Sequence, residues 1–92
     1  MGKYQIIVKP KAERDILKIE KSGDKATIHK LEKIIIELSL HPFTGIGQPE
    51  PLKHHLSGYW SRRLNKKDRI IYEVIEKPDA TVVIISALGH YY

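Results

Sequence analysis

Between residues 4 and 9 the chain alternates, with Tyr4, Ile6 and Val8 on one side and Gln5, Ile7 and Lys9 on the other. That period of two predicts a strand. The period then lengthens. Pro10 suits a first helical turn, where its missing N–H costs nothing, and Ala12, Ile16 and Ile19, with Leu17 beside them, recur at helical spacing through residue 21. Ser22-Gly23 ends that helix, Gly23 being a natural residue just past a helix end. Asp24 is the expected cap of a second helix reaching about Leu40. On it Ile28, Leu31, Ile34, Ile35 and Leu38 form one apolar stripe, with Glu32, Lys33 and Glu37 largely elsewhere. The pattern predicts a hairpin of helices with one buried face.

After His41-Pro42 the texture changes to a loop punctuated by Gly and Pro, Phe43-Thr-Gly-Ile-Gly-Gln-Pro-Glu-Pro. A short strand is expected at 52–56. Ser57-Gly58 turns into a strand at 59–64, Asn65-Lys66-Lys67-Asp68 into one at 69–76, and Lys77-Pro78-Asp79-Ala80 into one at 81–88. Strands joined by such short turns are antiparallel neighbours. The expected fold is α+β, an N-terminal strand and a two-helix hairpin packed on one face of a mostly antiparallel sheet.

Strand parity then assigns faces. Tyr59, Ser61 and Arg63 share one, opposite Trp60, Arg62 and Leu64. Arg69, Ile71 and Glu73 share one, opposite Ile70, Tyr72 and Val74. The apolar sets should meet the helices, with Arg62 at an edge where its head reaches water. Tyr59, Arg63 and Arg69 are left on the uncovered face. The stretch 82–88 is apolar on both sides, which predicts a central strand that delivers His90 and Tyr91 near the middle of the sheet.

Length and composition narrow the class. Ninety-two residues, 41% of them hydrophobic, predict one globular domain over 1–92. No apolar run approaches the roughly 18 residues of a membrane span, and neither a signal peptide nor a myristoylation signal is expected. The absence of cysteine excludes disulfides and thiolate metal sites and fits a cytoplasmic protein. The net charge is +5. Between Lys53 and Arg69 the cations Lys53, Arg62, Arg63, Lys66, Lys67 and Arg69 stand against Asp68 alone, with Tyr59 and Trp60 inside the same segment. Cations interleaved with aromatics suit a phosphate backbone with stackable bases, although a solvated basic surface has the same composition.

Cleaving RNA without a metal needs a base for the 2′-OH, an acid for the departing 5′-oxygen, and cations for the charge that grows on phosphate. The candidates are Glu50 as base, held between Pro49 and Pro51, His90 as acid, and Arg63 and Arg69 as clamps, with Lys53 close to the base. Each residue alone has a commonplace reading. Glu50 is then a surface loop acid, Arg69 an ordinary surface arginine, Trp60 a core residue, and Gly-His-Tyr-Tyr a frayed end. His54 and His55, with His29 and His41, show no metal-ligand spacing, so neither metal nor other cofactor is expected.

The runs Pro49-Glu50-Pro51-Leu52-Lys53-His54 and Leu56-Ser57-Gly58-Tyr59-Trp60-Ser61-Arg62-Arg63, then Arg69-Ile70-Ile71-Tyr72 and His90-Tyr91, closely resemble the YoeB/Txe branch of the RelE-type toxins. The preceding His41-Pro42-Phe43-Thr-Gly-Ile-Gly fits the same pattern, and the likeness spans the chain. The resemblance implies a RelE-like fold and the toxin of a type II toxin–antitoxin pair, an endoribonuclease that cuts mRNA in the ribosomal A site. By position Glu50 resembles the family's general base, His90 its general acid, Arg69 the arginine that stabilises the pentavalent phosphate, Lys53 and Arg63 further phosphate contacts, and Tyr91 the tyrosine after the histidine. The family pattern stops at His-Tyr, whereas here Tyr92 follows, so either tyrosine could take the stacking or orienting role. The implied partners are a YefM/Axe-like antitoxin, operator DNA bound mostly through that antitoxin, and a second toxin copy. Two other readings stand beside this one. A toxin of the same fold that poisons DNA gyrase would lack the base-and-acid set, and a non-catalytic module would only bind antitoxin.

Overall fold

The computed structural model describes residues 3–89. In chain order the elements are β1 (Gln5–Val8), α1 (Pro10–Lys21), α2 (Lys25–Leu38), β2 (Glu50–Pro51), β3 (Tyr59–Arg63), β4 (Arg69–Ile75) and β5 (Thr81–Gly89), with a 3-10 turn at His54–Leu56 between β2 and β3. The sheet runs β1-β5-β4-β3-β2. β1 lies parallel to β5, and the other pairings are antiparallel. This is the α+β layout expected, and β5 is flanked on both sides, as its doubly apolar sequence predicts.

Both helices start where the sequence places them. Pro10 opens α1. The Asp24 carboxylate caps α2, accepting from Thr27 N (3.2 Å) and Thr27 Oγ1 (2.7 Å), and these bonds to Thr27 hold its pKa below the ordinary value. Ala12 and Ile19 of α1, and Leu31, Ile34 and Leu38 of α2, pack against Ile70, Tyr72, Val82, Ile84 and Ala87 of the sheet in one buried cluster. Fully burying a side chain of this kind contributes roughly 1.5–3 kcal/mol. Leu17, beside the α1 stripe, stays exposed. No helix among the described residues is long and apolar enough to cross a membrane.

Three expectations are corrected. Residues 52–56 do not form a strand: pairing begins earlier, at Glu50–Pro51, and His54 takes φ 58°, which ends the extended run and starts the 3-10 turn. Arg62 does not reach water at an edge; it is completely buried. The face away from the helices is not simply open either, because Ser61, Ile71, Val83 and Ser86 lie buried on it.

Candidate active site

Cross-strand partners share a face, so the strand register also maps the site. One row runs Glu50, Ser61, Ile71 and Ser86 across β2, β3, β4 and β5. The next runs Arg63, Arg69 and Gly89. A third, on the other side of the first, runs Tyr59, Glu73 and Val83. Sequence parity placed Tyr59, Arg63 and Arg69 together, and the structure adds Glu50, a strand residue rather than a loop acid.

The Arg69 guanidinium donates to Glu50 Oε1 at 2.8 Å and to Ser61 Oγ at 3.4 Å. Its side chain is 23% exposed and that of Glu50 50% exposed, so both remain open to a ligand from solvent. Arg63 is exposed and faces Arg69 directly across the strand pair. Like charges so placed repel by about 0.2–1 kcal/mol, a cost that an anion bound between them would reverse. Tyr59 is half-buried two residues before Ser61. Lys53 is exposed at the start of the 3-10 turn, hydrogen-bonded to neither Glu50 nor Arg69 among the described residues. His90, Tyr91 and Tyr92 lie outside the described residues; Gly89, which precedes them, pairs with Arg69.

The opposite face of the same strands explains how β2 is held. Arg62 donates to Glu37 Oε1 (2.7 Å), the Tyr72 hydroxyl (3.3 Å) and the carbonyls of His41, Thr44 (2.8 Å) and Ile46 (3.4 Å). Tyr72 in turn donates to the Pro42 carbonyl at 2.7 Å. Burial raises the Tyr72 pKa, a rise that Arg62 partly offsets. One guanidinium thus gathers the 41–46 loop onto the sheet. Gly45 is required there: with φ +129°, a Cβ would stand 2.0 Å from Glu37 Oε1. Arg63 N then donates to the Gly47 carbonyl at 2.6 Å, so the loop reaches Glu50 already fastened to β3. Trp60, assigned to the core by parity, packs against the buried cluster and sits 5.0 Å from the Phe43 ring.

Sequence reasoning missed Arg62 and Glu37 as a pair, Ser61 as an acceptor, and Asp15. Asp15 lies in the apolar stripe of α1, three residues after Ala12 and four before Ile19, and a carboxylate in that position was the available signal. It is buried, and its Oδ2 accepts from Lys11 Nζ (2.7 Å), Ala87 N (3.1 Å) and Leu88 N (3.2 Å). Burial pushes its pKa up, but Lys11 and the two backbone N–H groups outweigh that and the net direction is down.

Proteins that this chain resembles in sequence and fold include toxins. A protein named Toxin YoeB, from Synechocystis sp., is 44% identical over 69 residues, covering 75% of this chain and 77% of its own. The structure of a YoeB dimer from Staphylococcus aureus superposes with a TM-score of 0.79 at 33% identity, covering 98% of this chain and 100% of that one. The toxin in a heterotetrameric YoeB–YefM complex from the same organism gives 0.76 at 32% identity, covering 96% and 98%. The profile described as "YoeB-like toxin of bacterial type II toxin-antitoxin system" matches residues 9–91, which include Glu50, Arg63, Arg69 and His90. With sequence and fold in agreement, the chain belongs to the YoeB-like toxins of bacterial type II toxin–antitoxin systems.

Proposed function

We propose that this toxin is an endoribonuclease that cuts mRNA in the ribosomal A site. The observation that carries the reading is the Glu50–Arg69 pair, 2.8 Å apart and open to solvent, with Arg63 opposite Arg69. A base and two phosphate-binding cations thereby share one face. Glu50 takes the proton of the 2′-OH, and the 2′-oxygen attacks the neighbouring phosphorus. Arg69 and Arg63 hold the charge on the pentavalent phosphate, with Lys53 as a further cation. The bond from phosphorus to the 5′-oxygen breaks, and that oxygen takes a proton from His90. The products are a 2′,3′-cyclic phosphate and a 5′-hydroxyl, with the proton lost by RNA resting on Glu50. Tyr59 offers a ring for base stacking, and Tyr91 or Tyr92 orients substrate at the chain's end.

The partner in this reading is a YefM/Axe-like antitoxin, supported by the S. aureus YoeB–YefM complex, with operator DNA bound through the antitoxin. A homodimer is supported by the S. aureus dimer. Mapping mRNA ends in a translation extract tests the activity. Wild-type protein should yield cuts within codons at the A site, and His90→Gln and Glu50→Ala should yield none while remaining folded. Intact mRNA alongside broken DNA would replace the ribonuclease by the gyrase reading.

A further inference from the structure

The β4–β5 ladder is regular at one end and slips at the other. From Ile75↔Thr81 to Tyr72↔Ile84 each step advances one residue on each strand. Then Ile71 pairs with Ser86 and Arg69 with Gly89, so β5 carries one extra residue at each of two places. Had the first register continued, Arg69 would face Ala87. The two insertions bring Gly89 opposite Arg69 instead, so that His90 follows next in the chain rather than three residues further on.

An irregular ladder leaves backbone groups to be satisfied elsewhere. Here the Ala87 and Leu88 N–H groups, in the second slipped segment, both donate to Asp15 Oδ2 from α1. Asp15 is buried at that point, and the same Oδ2 also accepts from Lys11 Nζ. Core packing has no use for a charge in the stripe between Ala12 and Ile19, where an apolar residue would bury more favourably. Two consecutive N–H groups turned toward one acceptor are what the slipped register requires.

We propose that Asp15 is a positioning residue for the cleavage reaction, its carboxylate fixing the slipped register in which Gly89 is set against Arg69. The proposal rests on the ribonuclease reading and deepens it. Asp15 touches neither substrate nor the Glu50–Arg69 pair; it acts through the backbone of β5. Misplacing a reacting group by an ångström can cost about 100-fold in rate.

The test uses the full chain and programmed ribosomes, below the melting temperature of every variant, with single-turnover cleavage rate and ribosome affinity read separately. Asp15→Ala should lower the cleavage rate by about 10- to 100-fold with little change in affinity. Amide exchange at Ala87 and Leu88, measured without RNA, should accelerate in the same variant. Asp15→Asn keeps a carbonyl acceptor and should restore both the rate and the protection. Val82→Ala truncates the buried core at the other end of β5 and should leave the rate unchanged. Asp15→Glu, which keeps the charge but moves the carboxylate outward by one methylene, covers the case in which Asp15→Ala does not fold; it should shift the Ala87 and Leu88 resonances and slow cleavage. An undiminished rate in a folded variant whose amides have moved would overturn the role. So would equal losses in Val82→Ala, or an inactive Asp15→Asn with protected amides. Absence of cuts by wild-type protein would remove the ribonuclease reading and the role with it, whereas wild-type cuts undiminished in Asp15→Ala would remove the role alone.

Discussion

The two faces of the β2–β3–β4 corner each hold an arginine paired with a glutamate at nearly the same distance. Arg62 meets Glu37 at 2.7 Å and Arg69 meets Glu50 at 2.8 Å. Their surroundings differ. Arg62 is 0% exposed, and backbone carbonyls together with a tyrosine hydroxyl take up its remaining donors. Arg69 and Glu50 sit at 23% and 50% exposure, with a second arginine opposite. An ion pair of the first kind, once broken, leaves a charge stranded in the interior. One of the second kind contributes little to stability, so its members can exchange partners with a ligand at small cost. Separation alone does not distinguish scaffold from site; burial and the fate of the remaining hydrogen bonds do.

The sharpest way to break this contrast is Arg62→Ala. It leaves three loop carbonyls without their donor, while Glu37, 30% exposed, still accepts from Ile46 N, and it should cost roughly 3 kcal/mol or more in urea unfolding. The double variant Arg62→Met/Glu37→Gln should recover part of that loss. Arg69→Ala should do the reverse, lowering mRNA cleavage by about 100- to 1,000-fold while changing stability by about 1 kcal/mol or less. Arg69→Lys keeps the charge but not the two-pronged donor, and should rescue cleavage only in part. A stability loss at Arg69 equal to that at Arg62 would erase the distinction.

Gly45→Ala probes the buried pair without touching either member. Its Cβ would press on Glu37 Oε1, and a loss of about 1–3 kcal/mol is expected from overpacking. The smallest effect should come from acid. The pKa of Asp15 is lowered in the folded state, so its contribution is complete above the ordinary carboxylate range and is lost as pH falls through its lowered folded value. Urea midpoints should therefore drop on the acid side, and Asp15→Asn should flatten that limb relative to wild type.

Much of this could be read from the chain, and the exceptions have physical causes. The helices were legible because Ala12, Ile19, Leu31, Ile34 and Leu38 repeat with the period of the helix and lie in the core. Parity placed Tyr59, Arg63 and Arg69 on one face because β3 and β4 pair without interruption there. Leu52, His54 and Leu56 also alternate, yet the positive φ of His54 turns the chain, and nothing in alternation reports a dihedral angle. Arg62 misled because a long charged side chain ordinarily finds water, and its partners come from a loop, from a helix 25 residues earlier and from Tyr72 on the next strand. The slips in β5 were invisible for a different reason. A strand apolar on both faces carries no phase, so an extra residue leaves no mark on its pattern.

The parallel pairing of β1 with β5 also determines when the sheet can close. Residues 5–8 have no strand neighbour in the sheet until residues 81–84 exist to lie beside them. On a ribosome, where the chain emerges from its N-terminus, the sheet closes only after residues 81–84 have been made. The strand that closes it is the one that brings Gly89 to Arg69. Closing of the sheet and pairing of Gly89 with Arg69 therefore come in the same stretch of synthesis, and a copy that stops before residue 81 has neither.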